Sequence, residues 1–230
     1  MRAGRLIVAL DPEPGDSLDY WLDIVSKLCD LVVGFKVGLP FTLMYGVNSL
    51  KTLKSLCGNF IIVDFKLADI GYVMRSIVSQ VSDHVDGVIA HSFIGTKGAL
   101  DELKEYLDRL GVKLILVTSM SHDGSLDVID VNIDRLLWVA ERVKPWGLVA
   151  PATRPAIITY IRRRAPWARI LAPGIGPQGA RPGEALKAGA DYEIIGRLIT
   201  RAPNPVELVE EIIVKHSQIL TSGSGGDTSV

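Results

Sequence analysis

The stretch "VDFKLADI", residues 63–70, sets the reading of the whole chain. It follows Phe60-Ile61-Ile62, so an apolar strand-like run ends abruptly in Asp64, Lys66 and Asp69. Charges at the end of a buried strand are costly unless they pair with one another. Side chains alternate along a strand, so Asp64 and Lys66 are expected on one face with Phe65 on the other. Two acids and a base at one strand end raise the question of what the other strands end in.

Apolar runs of the same kind recur at 6–10, 31–37, 60–65, 87–91, 113–118, 147–150, 169–172 and 192–195. Rich in Val, Ile and Leu, they read as parallel strands buried on both faces. Helical patterns separate them. Leu18, Leu22, Val25 and Leu28 form one stripe, and Leu100, Leu103, Leu107 and Leu110 another. Pro155 and Pro205 suit the first turns of helices. Eight strand–helix units predict an α/β fold, a single (β/α)8 TIM barrel over residues 1–220, with an open doubly wound sheet as the alternative. The Gly- and Ser-rich segment 221–230 is expected to be a disordered tail.

A barrel of this kind carries its chemistry at the C-terminal ends of its strands. Here the first run ends in Asp11, the second carries Lys36, the third gives Asp64, Lys66 and Asp69, and the fourth ends in His91. Ser119 and Ser121 follow the fifth. The seventh and eighth lead into "LAPGIGPQGARPGEALKAGADYEIIGR", residues 171–197. Gly174, Gly176 and Gly179 leave backbone free to approach a ligand. Loops after the seventh and eighth strands of such barrels often hold phosphate, and Arg197 could add a charged contact beside Gly196. Plain turn chemistry remains an alternative for Gly179 and Gly183.

Lys36, Asp64 and Lys66 together form an alternating array in which opposite charges keep each group ionised. A structural salt-bridge network is the alternative reading. Asp11, Asp64 and Asp69 could ligate magnesium, but two lysines among them already supply the positive charge. His91 reads as a structural hydrogen-bonding residue.

Composition narrows the partners. The chain has 230 residues, 48% of them hydrophobic, with 25 basic and 26 acidic side chains and a net charge of −1. That balance favours neither nucleic acid nor anionic lipid. Ile161-Arg162-Arg163-Arg164 reads as a solvated helix C-terminus, where cations suit the dipole. Cys29 and Cys57 lack any zinc or redox spacing and are expected as reduced, half-buried thiols. No apolar run is long enough to span a membrane and no secretory signal is evident, so a cytoplasmic protein is expected.

Taken together, "ALD" at 9–11, "FKVG" at 35–38, "DFKLADI" at 64–70, "TSMSHDG" at 118–124, "PGIGPQG" at 173–179 and "IGR" at 195–197 resemble, in order, the orotidine 5′-phosphate decarboxylases, most closely those of archaeal type. The resemblance runs over residues 6–214. It implies conversion of orotidine 5′-monophosphate to uridine 5′-monophosphate (UMP) and CO2, the last step of UMP synthesis, without metal or cofactor. Lys66 would donate the proton to pyrimidine C6, Asp64 would lie beside the substrate carboxylate, and Lys36 would link the array and contact ribose. Asp11 would bind a ribose hydroxyl, Ser121 the pyrimidine edge, and Gln178 and Arg197 the phosphate at Gly196, with Ile70 and Pro173 lining the base pocket. Asp69 would complete the array from the other subunit of a homodimer.

Two departures stand out. The family usually continues Pro-x-Thr after the counterpart of Ile70, whereas this chain reads Gly71-Tyr72-Val73. The loop between Ile175 and Ala185 is also short, with fewer phosphate contacts expected. Two rival functions share parts of the pattern. Magnesium-dependent hexulose-phosphate synthases and keto-gulonate-phosphate decarboxylases have DxKxxD, but hold the metal partly through an acid where this chain has Lys36. A non-catalytic phosphate-ligand-binding barrel would need the grip but not the charged array.

Overall fold

The computed structural model describes residues 4–223. Eight parallel strands close into a barrel in sequence order: β1 (Leu6–Leu10), β2 (Gly34–Gly38), β3 (Phe60–Leu67), β4 (Gly87–His91), β5 (Lys113–Val117), β6 (Gly147–Val149), β7 (Arg169–Ala172) and β8 (Tyr192–Ile195), with β1 pairing β8. The closed barrel excludes the open-sheet alternative.

The period-2 alternation of the strands divides the core in two. Ile7, Ala9, Ile62, Ile89, Ile115 and Val149 point inward. Leu6, Val8, Leu10, Phe35, Ile61 and Val63 point outward against the helices. The N-terminal end of the barrel is plugged by rings. Trp146 lies 5.5 Å from Phe60 and 6.1 Å from Tyr192, measured between centroids.

β2 reads "GFKVG" because its inward positions are Gly34, Lys36 and Gly38. A Cβ at Gly34 would lie 2.1 Å from the Phe60 carbonyl oxygen, and one at Gly38 would lie 3.0 Å from Asp11 Oδ1. Glycine at these two positions lets the Phe60 backbone and the Asp11 carboxylate approach β2 closely. Lys36 pairs in register with Ala9 on one side and Ile62 on the other.

Local signals fix the helices. Ser17 Oγ accepts from Tyr20 N and starts Leu18–Leu28. Pro155 opens Pro155–Arg164, and Gly111 in the left-handed region ends Asp101–Leu110.

Four expectations need correction. The second strand starts at Gly34, because residues 31–32 bond back to Leu28 O and finish the preceding helix. The C-terminal helix runs Pro205–Gly223, past the expected boundary at 220. Within its last turn Thr221 Oγ1 donates to Ser217 O and Ser222 Oγ to Gln218 O. The rest of the expected tail, 224–230, lies outside the described residues. Arg162 is not merely solvated: its guanidinium donates to Ala168 O and Gly189 O and pairs with Asp191.

The fourth correction concerns the cysteines, which are not free thiols. Cys29 and Cys57 form a disulfide with Cα atoms 5.6 Å apart. They follow or end the helices Leu18–Leu28 and Asn48–Cys57, which the barrel packs side by side. Asn59 Nδ2 ties the same corner by donating to Cys29 O and Val32 O. Only the fold brings the two sulfurs together; their spacing of 28 residues carries no pattern.

Reduction of this bond is expected to destabilise the fold by about 3 kcal/mol through loop-closure entropy. That corresponds to a fall in Tm of roughly 6–12 °C for a domain of this size. Calorimetry with and without reductant, alongside thiol titration of the native protein, checks it. Two titratable thiols in oxidised native protein would contradict it.

Candidate active site

A cavity of about 690 Å³ opens at the C-terminal ends of the strands. Its wall takes Asp11 from beyond β1, Lys36 from β2, Asp64 and Lys66 from β3, and Ser121 from beyond β5. Pro173 and Gln178 follow β7, and Gly196 and Arg197 follow β8. Of the eleven residues anticipated from sequence, nine therefore converge. Asp69 and Ile70 do not: they lie on the outer rim, exposed, where Asp69 Oδ1 accepts from Ile70 N at 2.7 Å. A single chain leaves them outside the cavity.

Asp64 is the centre of the charged array. Its buried carboxylate receives Lys66 Nζ at 2.9 Å on both oxygens and Lys36 Nζ at 3.1 Å on Oδ2. Lys36 Nζ also reaches Asp11 Oδ1 at 3.4 Å. Burial would push the Asp64 carboxyl up, but Lys36 and then Lys66 outweigh it and hold it below the usual carboxylate range. Burial would likewise pull Lys36 down, but Asp64 and Asp11 outweigh it and hold it above the ordinary lysine value. Asp64 and Lys36 are thus charged at neutral pH.

The route by which Lys66 reaches Asp64 differs from simple alternation. β3 pairs with β4 at Val63 and again at Leu67, with a register shift between. Within that bulge Lys66 adopts φ +45°, a left-handed conformation that non-glycine residues rarely take. Backbone held this way concentrates at functional sites. The bulge re-aims Lys66 so that its ammonium faces the carboxylate two residues back, while 40% of its side chain stays exposed to the cavity mouth.

Opposite the array stands the glycine-rich loop. Gly174, at φ +102°, leaves space where a Cβ would meet Gln178 Oε1 and Ser121 Cβ, each at 3.5 Å. Ser121 and Gln178 both line the cavity beside it. Arg197 begins the short helix Arg197–Thr200 and remains exposed at the cavity edge. Its guanidinium and the side-chain amide of Gln178 form a donor set suited to an anion.

His91 at the end of β4 does not line the cavity. Its ring packs on Phe93 at 4.7 Å, and burial, then the nearby Lys66 charge, lower its pKa, with Asp64 opposing. It stays neutral at pH 7.

Sequence reasoning missed the frame around Ser121. Arg154 pairs with Asp130 at 2.7 Å and donates to the carbonyls of Met120 and His122. Asp130 accepts from Ser119 Oγ at 2.7 Å and Ser125 Oγ at 2.8 Å. The network fixes the segment carrying Ser121. Its members are far apart in sequence and follow no motif.

Fold and site define a parallel-barrel enzyme whose cavity wall carries a carboxylate between two lysines, opposite a donor set suited to an anion. Residues 4–212 match the family model described as "Orotidine 5'-phosphate decarboxylase / HUMPS family", and the chain belongs to that family. It is 47% identical over 211 residues to the orotidine 5′-phosphate decarboxylase of Aeropyrum pernix, covering 90% of this chain and 86% of that one. It is 44% identical to that of Saccharolobus solfataricus, covering 92% and 91%. Among solved structures, orotidine 5′-monophosphate decarboxylase from Sulfolobus solfataricus superposes with a TM-score of 0.85 at 40% identity, over 94% of this chain and 99% of that one. The Methanocaldococcus jannaschii enzyme complexed with inhibitor BMP gives 0.85 at 32% identity, over 92% and 98%.

Asp64→Asn is expected to lower stability by about 3 kcal/mol at pH 7, the lower end for a broken buried pair because Lys36 keeps Asp11. The carboxyl of Asp64 is depressed in the fold, so its contribution is present above its unfolded value near 3.8 and is lost as pH falls through the folded value. Lys36 is raised, so its contribution is present below 10.5 and is lost as pH rises through its folded value. The difference between wild type and variant should therefore shrink at both acid and alkaline extremes. Denaturant titrations across pH check this, and a difference that does not vary with pH would contradict it.

Proposed function

We propose that the protein decarboxylates orotidine 5′-monophosphate to uridine 5′-monophosphate and CO2, with Lys66 as proton donor and without metal or cofactor. The observation that carries the reading is the Lys36–Asp64–Lys66 array at the cavity wall. Cleavage of the bond between C6 and the carboxylate releases CO2 and leaves its electron pair on C6. No cofactor takes that pair, so a fixed cation must stabilise it. Lys66 is placed for this, and its ammonium then donates a proton to C6. The amine left behind regains a proton from water at the open mouth.

Asp64 serves two ends in this reading. It orients Lys66, and its negative charge faces the substrate carboxylate, which favours departure of CO2. The family also includes the magnesium-dependent synthases considered above. Here Lys36 lies between Asp11 and Asp64, so these carboxylates already share a cation. That supports metal-free chemistry. Gln178 and Arg197 hold the phosphate far from C6, and the binding energy gained there contributes at the reacting carbon. Asp11 takes a ribose hydroxyl, Ser121 the pyrimidine edge, and Pro173 the base.

Asp69 and Ile70 enter the site from a second subunit. Leu39, Leu43, Ile70, Tyr72 and Phe93 are exposed around the same rim, with Tyr72 at 69%. An apolar rim of this kind supports a homodimer. Gly71 is explained within the chain: a Cβ there would lie 2.6 Å from Glu102 Cβ, whose carboxylate pairs with Arg75. Among the described residues no helix is long and apolar enough to cross a membrane. A cytoplasmic enzyme of nucleotide synthesis suits this, and the Cys29–Cys57 disulfide is then an exception to the reduced thiols usual in that compartment.

The direct test is loss of orotidine 5′-monophosphate absorbance with excess chelator present. Sustained turnover is expected; turnover that returns only with added magnesium would overturn the reading. Lys66→Ala should lower kcat by about 10²- to 10⁴-fold while nucleotide binding persists. Arg197→Ala should lower kcat/KM by roughly 10- to 100-fold, the loss of a charged hydrogen bond.

Mixing inactive Asp69→Ala and Lys66→Ala homodimers tests the shared site. A hybrid dimer has one doubly damaged site and one intact site, so random exchange should restore about a quarter of wild-type activity. Subunits that exchange, shown by mass, yet stay inactive would place both residues in one chain's site.

A further inference from the structure

Glu193 is a buried carboxylate that the chemistry above does not use. It lies on β8 between Tyr192 and Ile194, which pack into the barrel interior, so its own side chain points outward into the helix layer. An acid buried there needs a full set of donors. Gly183 N donates to both carboxylate oxygens, at 2.9 and 2.8 Å, and Ala185 N donates to Oε1 at 3.1 Å. His216 Nε2, from the C-terminal helix, lies 2.8 Å from Oε2.

Those two backbone amides end the glycine-rich loop. The loop leaves β7 at Pro173, whose carbonyl accepts from Ala152 N at 2.7 Å. Its two stems then pair: Gly176 N donates to Ala180 O at 2.9 Å, and Ala180 N to Gly174 O at 3.3 Å. Pro177 and Gln178 stand exposed at the tip between them. The returning stem is held besides by this Ala180 pairing, by Ala180 and Ala185 buried in the core, and by Arg181 N to Glu184 Oε2 within the loop itself; Glu193 adds the tie to β8. Gly183 sits at φ +93°, and a Cβ there would come 2.3 Å from Ile219 Cδ1, so its amide can reach Glu193 only because the residue is glycine.

We propose that Glu193 is a positioning residue for phosphate recognition: it clamps the returning stem of the loop and so sets where Gln178 meets the phosphate. The clamp ties the loop to β8, the strand that also delivers Arg197, so both halves of the grip are referenced to one rigid element. This rests on the function proposed above.

The test compares orotidine 5′-monophosphate with orotidine, which lacks the phosphate, in wild type and Glu193→Gln. The quantity read is the ratio of the two kcat/KM values. A misplaced grip is expected to lower that ratio about tenfold, mostly through KM for the phosphorylated substrate. General structural damage would lower both values together and leave the ratio at its wild-type level, which would overturn the proposal. Should Glu193→Gln fail to fold, His216→Gln keeps the carboxylate but removes its ring partner. It is read the same way, with a fall in the ratio supporting the clamp and an unchanged ratio overturning it. If the wild type does not turn over orotidine 5′-monophosphate, the functional reading falls by itself. The clamp is then read by calorimetry with ribose 5-phosphate. Weaker binding by the variant supports it, and equal binding overturns it.

Discussion

The carboxylate of Asp64 and the two ammonium groups that hold it constrain much of the surrounding structure. An unpaired charge at the depth of Asp64 and Lys36 would cost several kcal/mol, so these two stand or fall together, with Lys66 reaching Asp64 from the cavity mouth. Lys36 points inward between glycines 34 and 38, which let the Phe60 backbone and the Asp11 carboxylate approach its strand closely. Lys66 needs an approach that a regular strand does not offer, and the bulge between Val63 and Leu67 provides that at the cost of a left-handed backbone. The charged array is thus written into strand geometry rather than into the loops.

The opposite wall follows a different logic. The loops after β5, β7 and β8 carry polar groups toward the cavity, and the first two are braced from behind. Arg154 and Asp130 brace the segment with Ser121. Glu193 braces the return of the glycine-rich loop. These carboxylates touch backbone amides, hydroxyls and cations rather than the cavity. Their removal should therefore change position before it changes chemistry.

Much of this was legible in the sequence, for reasons that can be named. Strands buried on both faces leave dense Val, Ile and Leu runs, so all eight were placed to within a few residues. Barrel physics then located the site, because polar residues at C-terminal strand ends have few other uses. What sequence could not show depends on contacts between distant segments. The Cys29–Cys57 bond, the Arg154–Asp130 pair and the Glu193 clamp each join residues whose separations carry no motif. The Lys66 bulge was hidden because alternation predicts a shared face with Asp64 and stops there. Asp69 and Ile70 were expected at the site, and one chain does not bring them to it; a second subunit is the physical route that remains open to them.

The central claim is that Lys66, held by Asp64, transfers protons at pyrimidine C6. By microscopic reversibility the same side chain, as its neutral amine, must also remove a proton from C6 of the bound product. The most direct measurement is proton NMR of uridine 5′-monophosphate in deuterated water with wild-type protein and excess chelator. The account predicts slow loss of the C6 proton signal, with no loss when Lys66→Ala replaces wild type. Exchange that continues in Lys66→Ala at the wild-type rate would contradict it.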